Sequence, residues 1–231
     1  FEENCRIGER GINMQELQTK RKKPTILISS TVYGIEELLE RIYTILTAFG
    51  YEVWMSHKGT LPVFSSNTAF ENCLLAVEKC DLFLGLITPS YGSGQDGSGL
   101  SITHQELLQA IELKKPRWLL AHNSVVFSRR LLRDLGYDSK ENRKKLKLNK
   151  GSNSISDLRV IDMYEDAILD IEPLDKRVGN WVQEFSSDED AFLFASAQFG
   201  RFQEVERFLE ENFKNTQNLI EKVSDTTGVK L

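Results

Sequence analysis

Between Pro24 and His122, short unbroken apolar runs alternate with segments whose apolar residues recur three and four positions apart. That order leaves few folds open, because strands apolar on both faces must be covered on both sides, and helices between them are the cover. The first run is Thr25-Ile26-Leu27-Ile28-Ser29-Ser30. Ile35, Leu38, Leu39, Ile42, Ile45, Leu46 and Phe49 then fall at helical spacing, with Gly50 where a left-handed helix end belongs. Tyr51 to Met55 reads as a second strand and His57 to Pro62 as a loop. Phe70, Cys73, Leu74 and Val77 mark a second helix, and Asp81 to Ile87 a third strand. Thr88 to Leu100 holds Pro89, Gly92, Gly94, Gly97 and Gly99, too many breakers for regular structure. Leu107, Leu108, Ala110 and Ile111 carry a third helix, and Pro116 to His122 a fourth strand. The expected fold is α/β and flavodoxin-like, a parallel sheet with helices on both faces and right-handed crossovers. In such a sheet ligands bind at the carboxyl ends of the strands where strand order reverses, so Ser29 to Thr31 and Thr88 to Ser101 are the loops to watch.

The flanks are less regular. Residues 1–23 lack apolar periodicity and end in Lys20, Arg21, Lys22 and Lys23, which reads as a flexible lead-in. Residues 24–122 form the expected α/β domain, and residues 123–231 a mainly helical extension. Within it, Val125 to Leu135 is expected to be a helix ending at Gly136. Lys140 to Lys150 is expected to be a mobile lysine-rich surface loop, and Ile155 to Leu169 carries mixed strand and helix signals. Ser187 to Asp190 looks like a helix start, followed by Phe192, Ala195, Phe199, Phe202, Val205, Phe208 and Leu209 on one face. That stripe is either core or a surface for a partner helix.

Composition narrows the function classes. A net charge of −5 argues against general affinity for nucleic acid, which needs a basic face to displace counterions. A nucleic-acid role for Arg143, Lys144, Lys145 and Lys147 ranks last. No run is long and apolar enough to span a membrane, and the start of the chain has no apolar signal core, so a cytoplasmic protein is expected. Cys5, Cys73 and Cys80 cannot all pair and fit neither zinc nor redox spacing, so the two later ones are expected to be packing residues, and no metal is expected. The turn after the first strand lacks G-x-G-x-x-G, and no Walker motif occurs. A Rossmann dehydrogenase or P-loop ATPase is therefore not indicated.

Five ordered blocks carry a resemblance: Ile28-Ser29-Ser30-Thr31, Cys80 to Gly85, Tyr91-Gly92-Ser93, Ser101 to Glu106 and Lys115-Pro116. Together they resemble a prokaryotic family catalogued as domain of unknown function 4062, itself similar to Toll/interleukin-receptor (TIR) domains and nucleoside 2-deoxyribosyltransferases. The resemblance implies cleavage of an N-glycosidic bond of NAD or a nucleoside, in a prokaryotic defence effector, with Glu106 as the carboxylate. NAD or a nucleotide would be substrate, and no cofactor is implied. Such cleavage passes through an oxocarbenium-like state that a carboxylate stabilises or traps. A purine nucleoside would need a proton donor as well, and His104, Asp96 and Asp81 are the candidates by proximity in the motif.

Each of these residues has a plainer reading. Thr103-His104-Gln105-Glu106 also spells a T-x-x-E capping box, which would occupy Glu106 at its own helix start. Ser29, Ser30 and Thr31 either hold phosphate or ribose or merely cap a helix. Tyr91 either stacks on a base or plugs its loop onto the domain, and Gly92, Ser101 and His104 are expected with it among the ligand-binding residues. Asp81 is either a ligand contact or a strand-start cap, and His104 either a donor or a solvated side chain. The rival to an enzyme is a nucleotide-sensing or self-associating module that kept the fold without turnover.

Overall fold

The computed structural model describes residues 23–201 apart from 93, 95, 96, 150 and 153. The strands are β1 (Thr25–Ser30), β2 (Glu52–Trp54), β3 (Leu82–Ile87), β4 (Arg117–His122) and β5 (Val182–Phe185). They make one parallel sheet in the order β2-β1-β3-β4-β5. The helices are α1 (Glu36–Ala48), α2 (Ala69–Lys79), α3 (Ile102–Glu112), α4 (Asn123–Asp134), α5 (Lys140–Arg143) and α6 (Arg159–Ala167), then α7 over residues 188–201. This is the flavodoxin-like α/β architecture expected from the alternation, with strand order reversing between β1 and β3.

Side chains alternate across the sheet and so build two cores. Ile26, Ile28, Leu84, Leu86 and Leu120 face α1 and α7, where Leu38, Leu39, Ile42, Ala195 and Phe199 meet them. Leu27, Phe83, Ile87, Leu119 and Ala121 face the other way, onto Val77 of α2, Leu107 and Ala110 of α3, Val125 of α4, and Val160 and Met163 of α6. Each such side chain, taken fully out of water, contributes about 1.5–3 kcal/mol before chain entropy is charged against it. Gly50 follows α1 with φ +96, the left-handed conformation its place in the sequence predicted.

The described residues after His122 are mainly helical, as expected, but they also complete the sheet. β5 pairs with β4 through Leu119–Val182 to His122–Phe185, and so covers what would otherwise be the edge of the domain. Only four residues long, with Val182 and Gln183 half-buried, Glu184 exposed and Phe185 buried, the strand gives a weak periodic signal, which is why it was not legible. Ile155 to Leu169 resolves into helix at α6, with Val160, Ile161, Met163 and Ala167 buried. The expected loop from Lys140 needs correction at its start: Ser139 caps α5, and Arg143 is buried rather than displayed. Of the aromatic stripe, Phe199 is core and Phe192 packs against it, while Phe202, Val205, Phe208 and Leu209 lie outside the described residues, as do residues 1–22. Cys80 is buried and Cys73 half-buried.

Candidate functional site at the carboxyl ends of β1 and β3

Ser29, next to last in β1, is the register partner of Gly85 in β3, at the carboxyl-end half of the sheet. Glu106 lies on the sheet-facing side of α3, and Ser29 Oγ donates to its Oε2 at 2.5 Å. The Cys73 thiol of α2 donates to the same carboxyl. Only 7% of Glu106 is exposed, and this burial raises its pKa to about 7 against the opposing pull of the Ser29 and Cys73 hydrogen bonds. Near neutral pH the group therefore divides between acid and carboxylate. Cys73 is pushed up to about 12 by burial and by the Glu106 charge, which keeps it a thiol and not a nucleophile.

The capping-box reading of Thr103 to Glu106 is corrected. The helix starts earlier: Ser101 is its N-cap, and Ser101 Oγ accepts from the His104 N–H. Glu106 is thus free of any cap and sits in the second turn. The T-x-x-E pair that does close a capping box is Thr68 and Glu71, opening α2.

The loops after β1 and β3 converge. A Cβ added to Gly92 would stand 3.3 Å from Thr31 Oγ1 and 3.7 Å from Ser101 Cβ, and Gly92 has φ +89, so only glycine suits this closure. Ser30 Oγ donates to the Thr31 carbonyl oxygen. Asp81 is not brought to this place. It opens β3 at the opposite end, roughly 13 Å along the strand below the level of Ser29. There its Oδ2 accepts from the Thr25 N–H and hydroxyl, both at 2.8 Å, tying two strand starts together. Asp96 lies outside the described residues.

Tyr91 and His104 join a second group instead. Both are buried, and Tyr91 Oη lies 2.8 Å from His104 Nδ1. His104 Nε2 lies 2.8 Å from Asp166 Oδ2 on α6. With the imidazole neutral, this arrangement assigns the proton to Nε2, which donates to Asp166, while Nδ1 accepts from the Tyr91 hydroxyl. Burial would raise the Asp166 pKa, but hydrogen bonds from His104 and Lys140 outweigh it and hold the carboxyl below its ordinary value. The Tyr91 N–H donates to Ser156 Oγ, and the Arg159 guanidinium lies 4.7 Å over its ring. Tyr91 is thereby fixed as a plug on its own domain, and His104 is not a solvated side chain.

Outside α3, a cavity of about 740 Å³ opens toward α5 and α6, with His104, Lys140, Asp162 and Asp166 among its walls. Glu106 does not line it. Lys140, Asp162 and Asp166 were not singled out in the sequence, and Cys73 only as a packing residue, because each meets its partner only through the fold. Among the described residues, no group of three or more His, Cys, Asp or Glu is placed to hold a metal ion, and no helix is long and apolar enough to cross a membrane.

The arrangement defines a doubly wound α/β protein with a buried acid at its strand-order reversal. The chain belongs to the family described as Domain of unknown function (DUF4062), whose model matches residues 25–169, more than half of its length. No curated protein matches the chain.

Proposed function

We propose that the domain is a TIR-like N-glycosidase acting on NAD or a related nucleotide or nucleoside, with Glu106 as its working carboxylate. The observation that carries this reading is a nearly buried carboxyl, its pKa raised to about 7, beside the strand-order reversal and oriented by Ser29. A perturbed acid at a strand-order reversal, where such sheets bind ligands, is a candidate for chemistry. In NAD the C1′–N bond breaks with its electron pair going to the ring nitrogen, so nicotinamide leaves neutral and needs no proton donor. The ionised Glu106 stabilises the sugar cation, and water then adds at C1′ and gives up one proton. Placing the substrate there requires the loops that touch at Thr31 and Gly92 to part. Incubation of the intact chain with NAD and with nucleosides tests the reading. Turnover that falls by about 100-fold or more in Glu106→Gln supports it, and product formation equal to buffer overturns it.

A second reading is favoured by the 7% exposure of Glu106: a sensing or self-associating module in which the acid is part of the core. On that reading no substrate is turned over, and light scattering or nucleotide titration reports association or binding. A ligand-free monomer at every concentration removes it.

A further inference from the structure

His104 and Leu108 lie one helical turn apart on α3, and Glu106, two residues from each, points about 200° around the helix from them. The cavity of about 740 Å³ on the His104 side is therefore separate from the Glu106 carboxyl, and its volume is that of a small-molecule site. Ion pairs line it. Arg143, buried on α5, donates to Asp162 and Glu165 of α6 and to the Asp138 carbonyl oxygen. Arg159 of α6 grips Asp157 and the Gly99 carbonyl oxygen of the loop before α3. Both guanidinium groups are occupied by these partners, so neither offers a free charge to an anion.

Two polar groups on the wall keep bonding capacity. Asp162 gives only Oδ1 to Arg143, and its Oδ2 accepts no hydrogen bond among the described residues. Lys140 spans both oxygens of Asp166 but leaves 43% of its side chain exposed, so an N–H remains for a ligand. Leu108 and Leu158 supply apolar wall. An acceptor and a donor beside an apolar surface match a flat, uncharged body that carries an amino donor next to a ring-nitrogen acceptor. We infer that this cavity is a second site, independent of turnover at Glu106, for a purine-like heteroaromatic base or its nucleoside, with the amino group on Asp162 and the ring acceptor on Lys140.

Calorimetric titration of the intact chain with adenosine and with inosine, which has a carbonyl where adenosine has the amino group, tests this. The wild type is expected to bind adenosine saturably and in preference to inosine. Leu108→Trp, which fills the cavity, should weaken adenosine at least tenfold. Asp162→Asn keeps an oxygen for Arg143 but turns the other acceptor into a donor, and should shift the preference toward inosine by at least tenfold. Because a nucleoside is also a candidate substrate at Glu106, each titration is repeated in the Glu106→Gln background, where the cavity is expected to keep one saturable adenosine site that Leu108→Trp weakens. No saturable binding of either compound, or affinities untouched by both cavity variants, overturns the site. Weakening in Leu108→Trp with an unchanged preference in Asp162→Asn overturns the assigned edge. Weakening in Glu106→Gln but not in Leu108→Trp places the ligand at Glu106 and sinks this inference while leaving that carboxylate's role standing.

Discussion

Glu106 costs the fold something at neutral pH, and the sign of that cost separates its readings. Its folded pKa of about 7 lies above the ordinary 4.5, so the native state binds the extra proton between those values. Stability is then full below about pH 4.5 and falls as pH rises to about 7, by about 3 kcal/mol on this shift. Glu106→Gln mimics the protonated acid, so it should lack this loss and should gain on the wild type as pH rises, exceeding it at pH 8; the difference between the two proteins' denaturant midpoints at pH 5 and at pH 8 checks this. If the same carboxylate also works on a substrate, turnover should rise with pH through about 7, opposite to the stability trend. Glu106 was legible because an ordered set of motifs pointed to it. Cys73 was not, since nothing in its own segment distinguishes a thiol packed on apolar neighbours from one aimed at an acid thirty-three residues later.

At the scale of elements, the same T-x-x-E spelling occurs twice and caps once. Thr68 Oγ1 accepts from the Glu71 N–H while the Glu71 carboxylate accepts from the Thr68 N–H, whereas Thr103 lies one residue inside a helix already capped by Ser101. Thr68→Ala and Ser101→Ala should each cost about 1 kcal/mol of capping, a contribution that Thr103→Ala leaves in place. Thermal unfolding of the three variants distinguishes them, and equal losses at all three would show that the cap assignment is wrong. Helix α5 makes the complementary point. Four residues cannot hold a helix on their own, and the lysines around Arg143 made the segment look like loop. What holds it is one guanidinium shared between Asp162 and Glu165. Arg143→Ala leaves both acids without it, and should cost about 3–5 kcal/mol, while Lys145→Ala, whose side chain is exposed, should cost almost nothing. The acids that decide this lie on α6, some twenty residues away in sequence, where periodicity carries no information about a partner.

For the whole molecule, the sequence boundary at His122 and the physical edge of the fold differ. The first four strands could be read from continuous apolar runs, but β5 and α7 could not be placed against them by pattern. Yet α7 sends Ala191, Ala195 and Phe199 into the core shared with α1, and the Tyr51 hydroxyl of the loop before β2 donates to the Phe199 carbonyl oxygen at 2.9 Å. The Phe199 ring also lies 4.9 Å from that of Trp118 on β4. One face of the sheet therefore depends on residues beyond the family match, which ends at residue 169. Phe199→Ala should cost about 3–5 kcal/mol, since it empties a fully buried aromatic position between two aromatic neighbours. Ending the chain after residue 169 removes that side chain, the alanines beside it and the strand that covers β4, which exposes both an apolar face and an unpaired edge. The shortened chain should lose cooperative unfolding and associate, as seen by calorimetry and light scattering. Should it instead melt sharply as a monomer, α7 would be an attachment to a finished domain rather than part of its core.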